Sequence, residues 1–199
     1  YLVYFWVWCI KCSHCSQRVP LTNQMWIAKS TKDKIGVRFH VTSDKNFTTE
    51  LVGNMSAEEG NQYTQKGGKA ICISCKNTID YETLTNDIAI RKDRELIAIQ
   101  IQQQRKRVFI KPTANDKKLL NSASSYLKSN WDKLKKKGII PFNDIKATDS
   151  VTNGRLWPYG IKKWFEFFSD RQLLTMLVLS KNLENSLTDV KDKHKKKIL

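Results

Sequence analysis

Two Cys-x2-Cys pairs, Cys12/Cys15 and Cys72/Cys75, constrain this chain more than any other feature of its sequence. A C-x2-C turn presents two thiolates with backbone N–H groups aimed at the sulfurs, and two such turns brought together by strand pairing close a tetrahedral site. The spacing predicts a structural zinc ion held by Cys12, Cys15, Cys72 and Cys75. Four thiolates leave no coordination position for water, so the metal is expected to be structural, not catalytic. The competing readings are redox dithiols or unrelated buried thiols. The stretch between Cys15 and Cys72 is long for a zinc ribbon, which predicts inserted strands and a loop. Cys9 lies before the first pair, between Trp8 and Ile10, and reads as a buried small hydrophobe. His14 lies inside the turn and reads as exposed.

Hydrophobic periodicity organises the rest. Tyr4 to Trp8 is β-prone and leads into the first pair, and Met25 to Ala28 reads as a second short strand. Ile35, Val37, Phe39 and Val41 alternate with Gly36, Arg38 and His40, the period of a half-buried strand. Asn46 to Gln65 is polar and predicts a loop, after which Gly67-Gly68 turns the chain into the second pair. Glu95 to Ile101 and Arg107 to Ile110 are further strands. Asn115 to Lys137 has helical spacing, a lysine-rich last turn that suits the helix dipole, and Gly138 as its C-cap. Ser169 and Gln172 have capping-box spacing, and the apolar run from Leu173 to Leu179 predicts a buried helix. The expected architecture is α+β in three stretches. Residues 1–81 form a zinc-ribbon region, 82–140 a strand–helix region of small α/β character, and 141–199 a connector, the C-terminal helix and a basic tail.

Charge bears on partners. The 35 Lys+Arg against 19 Asp+Glu give a net charge of +16, which favours polyanions such as DNA. A lysine-biased genome would produce the same excess without any such partner. The candidate contacts are Arg18, Lys29, Lys32, Lys34 and Arg38; Trp157, Tyr159 and Trp164 are aromatic enough to stack on bases but read better as core. The apolar run from Tyr1 to Ile10 is about half of what a bilayer requires, so no membrane partner is expected. The absence of an export signal and the metal-like cysteine spacing predict a reducing, cytoplasmic setting. The chain opens within a strand and without Met, which predicts a piece of something longer.

A family resemblance rests on ordered motifs. Trp8-x3-Cys12-x2-Cys15-x4-Pro20-Leu21, then Trp26-Ile27-Ala28, then Gly68-x-Ala70-x-Cys72-x2-Cys75 resembles the zinc-ribbon region of adenine-specific DNA methylases. Downstream, Tyr159-Gly160-Ile161-x2-Trp164-x3-Phe168-x2-Arg171-Gln172-Leu173-Leu174 is similar to that family's YG(M/I)xxWxxLFxxRQLL segment. Arg91 to Ile99 and Ile140-Pro141 resemble intervening family segments. The resemblance implies an insert to a Rossmann-like methyltransferase that moves a methyl group from S-adenosylmethionine to adenine in DNA. The family's glycine-rich cofactor motif and its Asp-Pro-Pro-Tyr motif have no counterpart among Pro20, Pro112, Pro141 and Pro158 or the glycines. The implied role is therefore accessory: a structural zinc ribbon and a DNA-contacting surface beside the remaining methyltransferase core, with no methyl transfer by this chain alone. Ser16 and Lys76 stand where family knuckles carry glycine, at a left-handed position that costs a side-chain-bearing residue more. The alternatives are a stand-alone zinc-ribbon nucleic-acid-binding protein and a ribbon serving only protein contacts.

Overall fold

The computed structural model describes residues 3–30, 34–104, 106–146 and 155–189. In chain order the strands and helices are β1 (Val3–Lys11), β2 (Arg18–Leu21), β3 (Trp26–Lys29), β4 (Lys34–Val41), β5 (Phe47–Gly53), α1 (Ala57–Gly60), β6 (Gln65–Lys66), β7 (Lys69–Ile71) and β8 (Thr78–Ile79), followed by α2 (Tyr81–Arg91), β9 (Arg94–Gln103), β10 (Lys106–Ile110), α3 (Ala114–Lys136) and α4 (Asp170–Asp189). The architecture is mixed α+β. Two compact units divide the chain, residues 1–114 with 158–160 and residues 115–157 with 161–199.

The first unit is three antiparallel sheets with α1 and α2. A four-stranded sheet runs β10-β9-β1-β2, a second runs β3-β4-β5, and a small third runs β6-β7-β8. Period-2 alternation sends successive side chains of β1 to opposite faces. Val7 and Cys9 join Ile97, Val37 and Phe47 in one core, where Phe39 meets Phe47 edge-on at 5.4 Å. Ile10, with Val19 and Leu21 of β2, joins Ala70, Ile79 and the α2 residues Leu84 and Ile88 in another. The register between β1 and β9 shifts between Phe5 and Trp6, which leaves Ile97 without an opposite residue.

Two glycines are there for space. A Cβ on Gly60 would lie 2.0 Å from the indole of Trp26, and one on Gly36 would lie 2.1 Å from Met55 Sδ. Trp26 therefore lies directly on the α1 backbone, with its Nε1 donating to Asn61 Oδ1 at 3.1 Å.

The second unit packs α3 and α4 around Leu127, Ile140, Leu173 and Leu177. Phe142 stacks on Phe165 at 5.2 Å and Trp131 meets the same ring edge-on at 5.0 Å. Gly138 closes α3 at φ 67°. The capping box at the start of α4 is formed: Ser169 N–H donates to Gln172 Oε1 at 3.0 Å and Gln172 N–H to Ser169 Oγ at 3.4 Å.

Two expectations need correction. The polar stretch after Asn46 is not a loop: it contains β5, whose Thr48 and Glu50 face solvent while Phe47 is buried. A strand with one wet face needs few apolar residues. The C-terminal helix is not buried on most faces: Leu173 and Leu177 are covered, while Met176, Val178, Leu179 and Leu183 are 42 to 60% exposed. Helical spacing puts these on different sides of α4, and only one side meets the core. The basic tail, from 190 onward, lies outside the described residues.

Candidate metal centre

The two Cys-x2-Cys segments fold into the same turn. Cys12 follows β1; its N–H donates to Gln17 O at 2.8 Å, and its carbonyl accepts from Ser16 N–H at 2.9 Å. Cys72 follows β7, with its N–H on Asn77 O at 3.0 Å and its carbonyl accepting from Lys76 N–H at 3.1 Å. Ser16 and Lys76 occupy the left-handed region at φ 62° and 61°, as the knuckle geometry demands of whatever residue stands there.

Thr64 brings the turns together, and nothing in the motif pattern announces it. This residue is buried, its hydroxyl donates to Pro20 O, and it accepts from Thr22 N–H at 2.9 Å. Its carbonyl accepts from Ile71 N–H at 2.7 Å. One residue thus ties the β2 end of the large sheet to the β7 end of the small one.

The four sulfurs lie within 4.8 Å of one another. Cys12 Sγ is 3.7 Å from Cys75 Sγ, and Cys15 Sγ is 3.6 Å from Cys72 Sγ. A disulfide needs about 2.05 Å, and all five cysteines are free thiols. A tetrahedron of sulfurs about 2.3 Å from a central ion has edges of about 3.8 Å. The group is positioned to hold a metal ion.

Burial splits the quartet. Cys12 and Cys72 are buried, whereas Cys15 and Cys75 are half-buried. Burial pushes the Cys72 thiol up to about 12, against the N–H groups of Cys75 and Ser74, and pushes Cys12 up as well. The N–H of Gln17 lowers Cys15 to about 7. Without a cation the fold therefore favours protonated sulfur at its buried corners, so metal uptake must release protons.

Cys9 stays outside the cluster. It is fully buried, and burial raises its thiol to about 12. His14 is exposed and takes no part.

The basic candidates separate into two kinds. Arg18 is a bidentate partner of Asp93, with both bonds at 2.7 Å, and reaches Glu95 at 2.9 Å. Arg38 pairs with Glu59 and lies 3.7 Å from Glu50. Carboxylates answer both guanidinium charges. Lys29 and Lys34 are exposed and directly opposite each other across β3 and β4, with Lys29 Nζ 5.4 Å from the Trp26 ring centroid. Lys32 lies outside the described residues.

A second lysine pair escaped the sequence reading. Lys66 and Lys69 are exposed and opposite each other at the β6–β7 turn, where Gly67 and Gly68 have φ 57° and 78°. Lys76 projects from the second knuckle, its Nζ donating to Ile73 O at 3.0 Å. None of these five lysines forms an ion pair with a described residue. The available signal was Lys-Gly-Gly-Lys itself, since a two-residue turn sets its flanking residues face to face. The aromatic candidates diverge: Tyr159 packs on the core of the first unit, Trp164 is half-buried, and Trp157 is 40% exposed with its Nε1 on Ile145 O.

No protein-family description, no curated protein and no solved structure matches this chain. No helix among the described residues is long and apolar enough to cross a membrane.

Proposed function

We propose that this chain is a zinc-stabilised ribbon module that grips nucleic acid, as the accessory region of an S-adenosylmethionine-dependent, adenine-specific DNA methyltransferase. The convergence of four free thiols within 4.8 Å carries the reading. An all-thiolate tetrahedral set suits zinc and disfavours the hard cations that take oxygen ligands. Bound by Cys12, Cys15, Cys72 and Cys75, the ion would cross-link the turn after β1 to the turn after β7. It would offer no site for substrate.

The methyltransferase setting is supported by the ordered motifs from Trp8 to Leu174. In that setting the methyl donor and the reacting adenine belong to the remaining methyltransferase core. This chain supplies phosphate contacts that help to hold DNA while a base is extruded. Lys29 with Lys34, and Lys66 and Lys69 with Lys76, are among the described groups with charge to give. Five free cysteines fit a reducing, cytoplasmic compartment. The lack of any Asp-Pro-Pro-Tyr or G-x-G element also fits the stand-alone nucleic-acid-binding alternative.

The test is metal content together with DNA binding. The purified chain should carry one zinc, Cys72→Ser should carry none, and binding to a duplex should weaken as salt rises. A chain that folds without metal, or duplex binding indifferent to salt, would sink the reading. Incubated with S-adenosylmethionine and DNA, the chain alone should transfer no methyl group.

A further inference from the structure

A cleft of ≈ 270 Å³ opens between β4 and the second knuckle. Its floor is apolar, built from Val37, Phe39, Ile71 and Ile73. Gln62, Tyr63 and Lys76 line its rim, and the paired Arg38 and Glu59 form one wall. Tyr63 is 39% exposed and carries Lys66 Nζ at 5.1 Å from its ring centroid. Lys69 stands across from Lys66.

Like charges placed directly opposite on neighbouring strands repel. With no carboxylate partner among the described residues, Lys66, Lys69 and Lys76 make an anion the natural complement. A cleft that sets apolar side chains beside converging polar groups is suited to a small ligand, and this one exposes polar and apolar surface in similar measure. Here the arrangement joins three complementary features: an exposed aromatic face, a donor–acceptor edge at Gln62 and the Arg38–Glu59 pair, and cations outside the cleft. A nucleotide matches all three. Its base fits the floor and Tyr63, and its phosphates meet the lysines.

We propose that this cleft binds one unstacked nucleotide of a single-stranded segment, a proposal that rests on the nucleic-acid reading above and deepens it. A base inside a duplex has both faces covered and cannot enter a pocket of this kind. An unpaired base can, because every base has a face to stack. The lysines hold the flanking backbone, and Tyr63 and the Arg38–Glu59 wall receive the base. Cys72, Ile73 and Lys76 of the second knuckle line the same cleft.

The experiment uses the zinc-loaded full chain and measures anisotropy of a fluorescein-labelled oligothymidylate eight-mer, an eight-base-pair duplex and an oligoglutamate peptide. The single strand should bind best. Tyr63→Ala should weaken it roughly five-fold or more, and Tyr63→Phe should restore it. Combining Lys66→Gln with Lys69→Gln should reduce the slope of log K against log salt by about 1.4, two phosphate contacts' worth. Zinc content should be unchanged in every variant. Duplex binding equal to or tighter than single-strand binding, with Tyr63→Ala silent, overturns the cleft assignment but leaves nucleic-acid binding standing. Failure to bind either nucleic acid overturns both readings. Oligoglutamate binding as tight as the oligonucleotide overturns the nucleotide assignment in favour of an acidic peptide.

Discussion

The two units of this protein solve the same problem with different materials. The first, 1–114 with 158–160, spreads its apolar residues over three small sheets and two separate cores, and holds all five cysteines. The second, 115–157 with 161–199, gathers two long helices and stacked aromatics around one core that includes no sulfur ligand. Short strands of two to four residues are weak on their own. The β6-β7-β8 sheet is made only of such strands and carries the Cys72–Cys75 half of the cluster, so a metal has most to contribute there. The second unit obtains by packing what the first is expected to obtain by coordination.

Chelation should separate them most sharply. Stripping the ion, or making Cys72→Ser, removes on the order of 10 kcal/mol of coordination free energy. The amide spectrum of the β-sheets should collapse while α3 and α4 keep their ellipticity at 222 nm. Simultaneous loss of both would break the comparison. Conversely, Leu127→Ala should destabilise the second unit by about 2–5 kcal/mol, read as a lowered denaturation midpoint with zinc content unchanged.

Arg18 tests how the first unit holds charge. Arg18→Met removes the shared partner of the half-buried Asp93 and Glu95, with Arg91 still 3.7 Å from Asp93, and should cost about 2 kcal/mol after allowance for partial solvent screening. No comparable loss is expected for Lys163→Met, whose partner Asp144 is 75% exposed.

Cys9 gives a pH signature. Its folded value of about 12 lies above the ordinary thiol value, so its stabilising contribution is complete below about pH 9 and lost as pH climbs toward 12. Zinc-loaded protein should lose about 1.4 kcal/mol of stability per pH unit in that window from this group. Cys9→Ala should flatten that slope in denaturation curves taken between pH 9 and 10.5. The smallest effect is a gain: Lys76→Gly relieves a left-handed backbone and should stabilise the metal-bound fold by about 1 kcal/mol.

Much of this architecture was legible in the residues. The strand from Ile35 to Val41, the β9 and β10 runs, helix α3 with its glycine stop and the Ser169–Gln172 box each have a local cause, and each forms, although Val41, Leu119 and Tyr126 of the apolar patterns are exposed. The cysteine pairs were visible for the same reason, since a knuckle is a local turn. What escaped depends on distant partners. β5 carries its signal in hydrogen bonds to β4, not in apolar content. α2 buries only Leu84, Thr85 and Ile88 along one side, too few to mark a helix before the sheet beneath it is known. Thr64 looks like any loop threonine until Pro20 and Thr22 arrive from the other sheet. Only charge marks a basic candidate in the sequence, and charge alone cannot tell Arg18, already answered by two carboxylates, from Lys69.

The missing side chain at Gly60 has a consequence beyond packing. With Trp26 pressed on the α1 backbone, Met25 N–H bound to Gly60 O at 2.9 Å and the indole N–H bound to Asn61, the segment carrying Glu59, Gln62 and Tyr63 is fastened at its base. Any ligand that meets those residues finds the lip of the cleft already shaped. Affinity is then spared the entropy of ordering a loop, and a methyl group at residue 60 would be felt as faster dissociation from a site it never touches.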